Sequence, residues 1–312
     1  MSCYTVRESM REFLDLLALL CLFSGGCSMS PKAAAPPLSG ERAMEHVRAQ
    51  VALGPHPPGS AALEKCREYI IGQLRGYGYE IRTDEFETET PYGRKVMKNL
   101  IARKGAPDRP VVVLASHYET KLMESIEFVG ANDPGSSVGL LLELARVLAD
   151  EKSSLDYWFV FLDGEEAFVD WSSFDSTYGS RHLAKRWQQD GTAAKIRAFI
   201  LLDMIGDKNL DIMKETYSTR WLSDLVWETA ARMGLQEILS KYAGAVEDDH
   251  LPFLRVGIPS VDIIDLNYGP GNSFHHTTAD SIDKVSPDSM EKVGRLVLAV
   301  LKELQTQSRP RK

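Results

Sequence analysis

The sequence predicts a three-layer α/β sandwich in which helices flank a central, mostly parallel mixed sheet. Three observations lead there. The runs VVVLAS (111–116), YWFVFLD (157–163), FILLD (199–203) and IPSVDII (258–264) are rich in apolar, β-branched and aromatic residues, as strands buried on both faces are. Stretches with helical spacing separate them, and strands alternating with helices favour a parallel or mixed sheet covered on both sides. These runs also end in acidic residues or a histidine, and open α/β sheets bind ligands beyond the carboxyl ends of their strands.

The elements follow in order. Pro31 to Ser39 is an Ala- and Pro-rich linker without periodicity. A helix over about 40–53 ends at Gly54-Pro55, and Ser60 caps a second helix that runs to Leu74 and stops near Gly76. Strands at about 79–87 and 96–103 precede the core run at Val111. Further helices are expected at about 136–148, 180–188, 219–233 and 287–304, the last capped by Ser286. The 312 residues, 44% hydrophobic and 26% charged, suit a single catalytic domain over 40–312, behind a leader (1–27) and a linker (28–39).

A net charge of -8 with no basic stripe argues against nucleic acid as a partner. Arg7, Arg11, the apolar run from Leu16 to Phe23 and the small residues before Cys27 have the layout of a secretory signal, too short to span a bilayer. Ser24-Gly25-Gly26-Cys27 is similar to a degraded lipobox, with Ser24 where that motif usually carries Leu. The expectation is an exported monomer, held at a membrane only if Cys27 is lipidated; Met10 offers a second start with a cleaner basic region. Three of the four cysteines lie in the leader, so Cys66 is expected as a lone buried thiol, on apolar spacing with Leu63, Ile70 and Leu74. His46 and His56 read as surface residues, His182 as structural, and His250 as a partner of Asp249 or the backbone. Trp158, Trp187, Trp221 and Trp227 read as packing, and Tyr178-Gly179 as a loop turn with a core tyrosine.

His117, Glu165-Glu166, Asp203, and Asp262 with Asp265 stand at the ends of the four core strands. Carboxylates converging there without Lys or Arg would repel one another, and a bound cation relieves that. His with Asp and Glu, and no Cys, fits catalytic zinc with an open position, whereas calcium or magnesium prefers oxygen alone. Consecutive glutamates at a strand end face different ways, so one can bind metal while the other stays free as a base. A Glu pair alone is most often a solvated loop; this one follows an apolar strand and Asp163-Gly164.

The motifs SHYETK (116–121), GANDPGSSVG (130–139), FLDGEEAFVDW (161–171), DSTYGSRHLA (175–184), LLDMIGD (201–207), EDDHLPFLRVGIP (247–259) and HHTTAD (275–280) together resemble the glutaminyl-peptide cyclotransferases, relatives of the zinc aminopeptidases of peptidase family M28. The resemblance runs in motif order from about Ala43 to the last helix. GEEAF-x-x-W with EDDH-x-PFLR points to the cyclase branch. It implies closure of N-terminal glutaminyl residues of peptides or proteins into pyroglutamate with release of ammonia, and more slowly of glutamate. By position, Asp133, Glu166 and His276 match the zinc ligands and Glu165 the acid/base. Asp203 and Asp248 match acidic residues networked beside the metal and expected to share a proton. Trp171 matches an aromatic wall, and Glu247 falls on the substrate side. His275 stands where animal cyclases carry a second Trp, with Phe274 able to take over part of that wall. Asp262 replaces a usual His, and Ser116 stands where the animal enzymes have a disulfide cysteine.

Two other readings stay open. In dinuclear aminopeptidases the positions of His117, Asp133 and Asp203 hold one zinc, and those of Asp133, Glu166 and His276 the other; all five are present, so the ligand inventory allows one ion or two. A catalytically silent binding protein of the same fold would be expected to have lost a ligand or the base, and here each is retained.

Overall fold

The apolar runs become the middle of a mixed sheet. The computed structural model describes residues 37–105 and 109–306, and among these the strands are β1 (Glu80–Thr90), β2 (Gly93–Arg103), β3 (Val111–His117), β4 (Asp156–Leu162), β5 (Ile196–Asp203), β6 (Ile212–Glu215), β7 (Leu239–Gly244) and β8 (Ser260–Ile264). Their spatial order is β1-β2-β4-β3-β5-β8-β6-β7. The central β4, β3, β5 and β8 are parallel; β1 and β2 add antiparallel on one side, and β6 pairs antiparallel with β8 on the other. The helices are α1 (Gly40–Val51), α2 (Ala61–Gly76), α3 (Gly135–Leu148), α4 (Tyr178–Gln189), α5 (Arg220–Arg232), α6 (His250–Arg255) and α7 (Pro287–Thr306). The leader, Cys27 and most of the linker lie outside the described residues. Among the described residues no helix is long and apolar enough to cross a membrane.

The lack of alternation in the core strands has the expected cause. Val112 and Leu114 of β3, with Ala198, Ile200 and Leu202 of β5, face a large core under α1, α2, α3, α5 and α7. Val111, Val113, Ala115, Phe199 and Leu201 face a second core under α4 and α6. Helix α3 is buried along its length except at Arg146, and Gly139 lets α1 lie against it: a Cβ there would come 2.6 Å from the Ala43 carbonyl oxygen. Ser60 caps α2 by accepting from Leu63 N at 3.0 Å. Cys66 is fully buried and free, and burial pushes its thiol up to about 12.

The β1–β2 hairpin extends beyond its expected limits at the turn end, where exposed Arg94 pairs with Glu87 and Glu89 and apolar patterning gives no signal. Strands β6 and β7 and helix α6 have no counterpart in the sequence reading. β6 has four residues, β7 is a half-exposed edge, and α6 carries Pro252, which the first turn of a helix tolerates. Tyr178-Gly179 opens α4 rather than forming a loop turn. His46 and His56 are not surface residues: His46 Nδ1 meets Tyr69 Oη at 2.6 Å and His56 Nδ1 meets the Gly54 carbonyl at 2.8 Å, both rings being buried.

A buried ion pair fixes the end of β4 just before the glutamate pair. Arg67 Nη2 donates to Asp163 Oδ2 at 3.2 Å and its Nε to Tyr118 Oη at 2.8 Å, while Lys98 N donates to the same Asp163 oxygen at 2.7 Å. Removing one partner of such a pair strands the other. Arg67→Ala is therefore expected to destabilise the fold by about 3–5 kcal/mol, read as a lower urea midpoint at unchanged slope.

Candidate active site

The site is assembled from chain leaving the carboxyl ends of the parallel strands. His117 ends β3, Asp133 precedes α3, Glu165 and Glu166 follow β4, Asp203 ends β5, Asp248 precedes α6, and His276 follows β8. Asp133, Glu165, Glu166, Trp171, Asp203, Glu247, Asp248, His275 and His276 line one cleft of about 330 Å³, with Met204, Val246, Ile264 and Leu266 as its apolar surface. Phe274 does not join them; its ring packs edge-on against Tyr268, centroids 5.4 Å apart. Asp265 also points elsewhere, accepting from Asp211 N and Asn267 N in a turn.

His276 Nε2 lies 2.8 Å from Glu166 Oε1 and 3.2 Å from Asp133 Oδ2. On its other oxygen, Asp133 is 3.0 Å from His117 Nε2, which is 3.4 Å from Asp203 Oδ1. His275 Nε2 is 3.6 Å from Asp133 Oδ2. His276 holds a left-handed backbone with φ 54°, as does Met204 beside Asp203 with φ 50°; such conformations are costly for non-glycine residues and cluster at functional sites.

The two glutamates differ in their surroundings. Glu166 contacts His276, and its Oε2 accepts from Lys121 Nζ at 3.2 Å. Burial and the Asp133 charge oppose its ionisation, yet His276 and Lys121 hold it below the usual carboxylate range. Around Glu165, His117 Nδ1 stands 3.9 Å away. Burial drives Glu165 well above its ordinary range; His117 opposes this, and the charges of Glu166, Asp248 and Asp249 add to it. Burial, then the Asp203 charge, pushes Asp248 up to about 7.

These residues fit a divalent cation. Both ring nitrogens of His117, Oδ1 of Asp203 and Oδ2 of Asp248 are buried and make no well-directed hydrogen bond among the described residues, although His117 Nε2 faces Asp133 and Asp203 at 3.0 and 3.4 Å; donors that crowd together in this way suit a shared cation. Donor atoms of Asp133, His275 and His276 lie within 4.8 Å of one another, and so do those of His117, Asp133 and Asp203. Nitrogen and oxygen donors around an open cleft suit zinc.

Sequence reasoning missed the groups that aim these side chains. Glu119 Oε1 accepts from Glu165 N at 2.5 Å and Glu166 N at 3.2 Å. Asp280 accepts from Asn132 N at 2.7 Å and Asp133 N at 3.2 Å. Both sit inside motifs already noted, SHYETK and HHTTAD, but nothing in spacing separates an orienting carboxylate from a ligand. Asp175 accepts from Phe168 N, Val169 N and Asp170 N at 3.0, 2.8 and 3.2 Å and from Tyr178 Oη at 2.8 Å, tying down the segment that carries Trp171. His182 is structural, stacked on Phe86 with centroids 4.1 Å apart.

His250 pairs with neither Asp249 nor the backbone in the way expected; its Nε2 is 3.1 Å from Glu215 Oε2 and its Nδ1 3.8 Å from Asp262 Oδ2. Glu215 also accepts from the backbone of Tyr217, Ser218 and Val246. Burial opposes its ionisation, but His250 and these donors lower its pKa to about 2. A depressed carboxylate stabilises the fold above its unfolded pKa of about 4.5 and loses that contribution as pH falls towards 2. Glu215→Gln is expected to remove on the order of 2–3 kcal/mol at neutral pH and to flatten the acid limb of stability, as urea titrations across pH would register.

The family model for peptidase family M28 matches residues 99–301. The glutaminyl-peptide cyclotransferase of Drosophila melanogaster is 31% identical over 273 residues, covering 78% of this chain and 76% of the relative. The crystal structure of an Acidobacteriales bacterium glutaminyl cyclase superposes with a TM-score of 0.84 at 39% identity, over 90% of this chain and 100% of that one. The Porphyromonas gingivalis glutaminyl cyclase gives 0.75 at 31% identity, over 86% and 99%. The chain belongs to peptidase family M28 and, within it, to the glutaminyl-peptide cyclotransferases.

Proposed function

We propose that this protein closes N-terminal glutaminyl residues of peptides or proteins into pyroglutamate and releases ammonia, with zinc held by Asp133, Glu166 and His276. The observation that carries the reading is the unequal pair: Glu166 engaged by His276 and Lys121, and Glu165 beside it in the same cleft, with His117 Nδ1 3.9 Å away and the charges of Glu166, Asp248 and Asp249 around it. Bound there, zinc supplies Lewis-acid polarisation of the side-chain amide carbonyl. Glu165 takes a proton from the substrate α-ammonium, freeing the amine as nucleophile, and returns it to the leaving nitrogen. Asp203 and Asp248 share a proton, so that one donates a hydrogen bond to the departing group. Attack is intramolecular, and Trp171 with His275 forms a wall that folds the side chain towards its own amine. Glu247, at the rim, attracts the ammonium. The leader read in residues 1–27 supports action on exported peptides or proteins.

A second reading, hydrolysis by a two-zinc aminopeptidase, is favoured by the closeness of His117, Asp133 and Asp203 donor atoms. One experiment separates the two. Purified protein is given a glutamine-leading peptide with ammonia detection, beside a leucyl anilide, with and without chelator. Chelator-sensitive ammonia release with an intact anilide supports cyclisation, anilide cleavage without ammonia supports the aminopeptidase, and silence on both with metal bound supports a binding protein.

A further inference from the structure

Beside the catalytic cleft lies a second concavity of about 260 Å³ that shares Trp171, Glu247 and Asp248 with it. Its lining also carries two guanidinium groups, Arg181 from α4 and Arg255 from α6. Arg181 is held by the carbonyls of Ser176 and Thr177 at 3.1 and 3.3 Å and lies 4.9 Å over the Tyr178 ring. These contacts fix its position without cancelling its charge. Burial and then the neighbouring Arg255 charge lower its proton affinity, which marks the two cations as electrostatic neighbours. Asp249 and Asp175 act on Arg181 only through their charge, and Arg255 is exposed. On a chain of net charge -8, two guanidinium groups lining one groove, with Glu247 and Asp248 on the wall it shares with the cleft, are a local exception.

We propose that this groove is a subsite for a carboxylate on the second or third residue of the substrate, making acidic-headed peptides and proteins the preferred substrates. The assignment rests on the cyclase reading of the adjoining cleft. A glutaminyl residue in the cleft places its α-ammonium among Glu165, Glu247 and Asp248. The chain that follows advances about 3.3–3.6 Å per residue, and because the groove shares Trp171, Glu247 and Asp248 with the cleft, the residues after the glutaminyl group are the ones that enter it. Guanidinium groups are suited to carboxylates by their planar, two-pronged donors.

The test compares kcat/KM for ammonia release from Gln-Glu-Ala-amide and Gln-Lys-Ala-amide in the wild type and in Arg255→Ala, Arg255→Glu and Arg255→Lys. An exposed ion pair changes affinity by up to about fivefold, and exchanging attraction for repulsion doubles the free energy and so squares that ratio, so the wild type is expected to favour the glutamyl peptide by up to about 25-fold, mainly through KM. The ratio is expected to shrink in Arg255→Ala, where Arg181 remains, to fall to one or below in Arg255→Glu, to persist in Arg255→Lys, and to narrow with salt. Ammonia release from both peptides at equal efficiency, unaltered by Arg255→Glu, overturns the subsite and leaves the cyclase reading standing. No ammonia from either peptide in the metal-loaded wild type overturns the cyclase reading and the subsite with it.

Discussion

Glutamine in place of Glu165 is expected to lower kcat for ammonia release about 10²–10⁴-fold, the range associated with losing a positioned acid/base, while metal content, melting temperature and KM stay near wild type. The substitution preserves shape, and the Glu165 backbone N–H still donates to Glu119. What disappears is the ability to carry a proton. The ligand face of the pair, Glu166 with His276 and Lys121, is untouched. In the wild type kcat/KM should rise with pH as Glu165 ionises, and that limb should be absent from the residual activity of the variant. Loss of metal together with activity would make Glu165 a ligand and leave the base unassigned.

Asp133→Ala is expected to be as damaging by a different route. One Asp133 oxygen faces His276 and the other faces His117, so the carboxylate belongs to both candidate ligand groups. Even groups that merely orient ligands are worth 10–100-fold in metal affinity, so loss of this one should cost at least about 100-fold and leave dialysed protein nearly metal-free. Elemental analysis measures the metal and ammonia release the activity. His117→Ala then counts the ions. With a single ion on Asp133, Glu166 and His276, the variant keeps the full wild-type stoichiometry; with two, it loses one equivalent and keeps the other. Retention of metal by Asp133→Ala would refute the ligand set.

Much of the fold and most of the site were legible in the sequence for different reasons. The central strands announced themselves because burial on both faces demands unbroken apolar runs, and His117, Glu165, Glu166 and Asp203 because they sit where those runs stop. Elements held mainly by polar contacts were harder to see. The turn end of the outer hairpin carries exposed Arg94 and its glutamates in place of apolar residues, and β7 is an edge with little apolar surface. His46 and His56 show the limit of residue type as a guide, since one tyrosine hydroxyl and one carbonyl suffice to bring an imidazole indoors. Glu119 and Asp280 show the limit of motif reading, because their partners are backbone N–H groups that any residue supplies. Phe274 shows that adjacency in sequence to His275 and His276 does not place a ring in their cleft.

The Asp175 carboxylate has a consequence for how this protein could change over evolutionary time. By gathering three successive N–H groups it anchors an arch whose crown stands in water, with Phe174 83% and Trp171 40% exposed. An anchor of that kind separates inheritance of shape from inheritance of taste. Mutations at the crown can trade one aromatic for another without repacking the sheet below or disturbing Glu165 and Glu166. A lineage could thus acquire new peptide preferences in small, individually tolerable steps, provided the one aspartate at the base of the arch is kept.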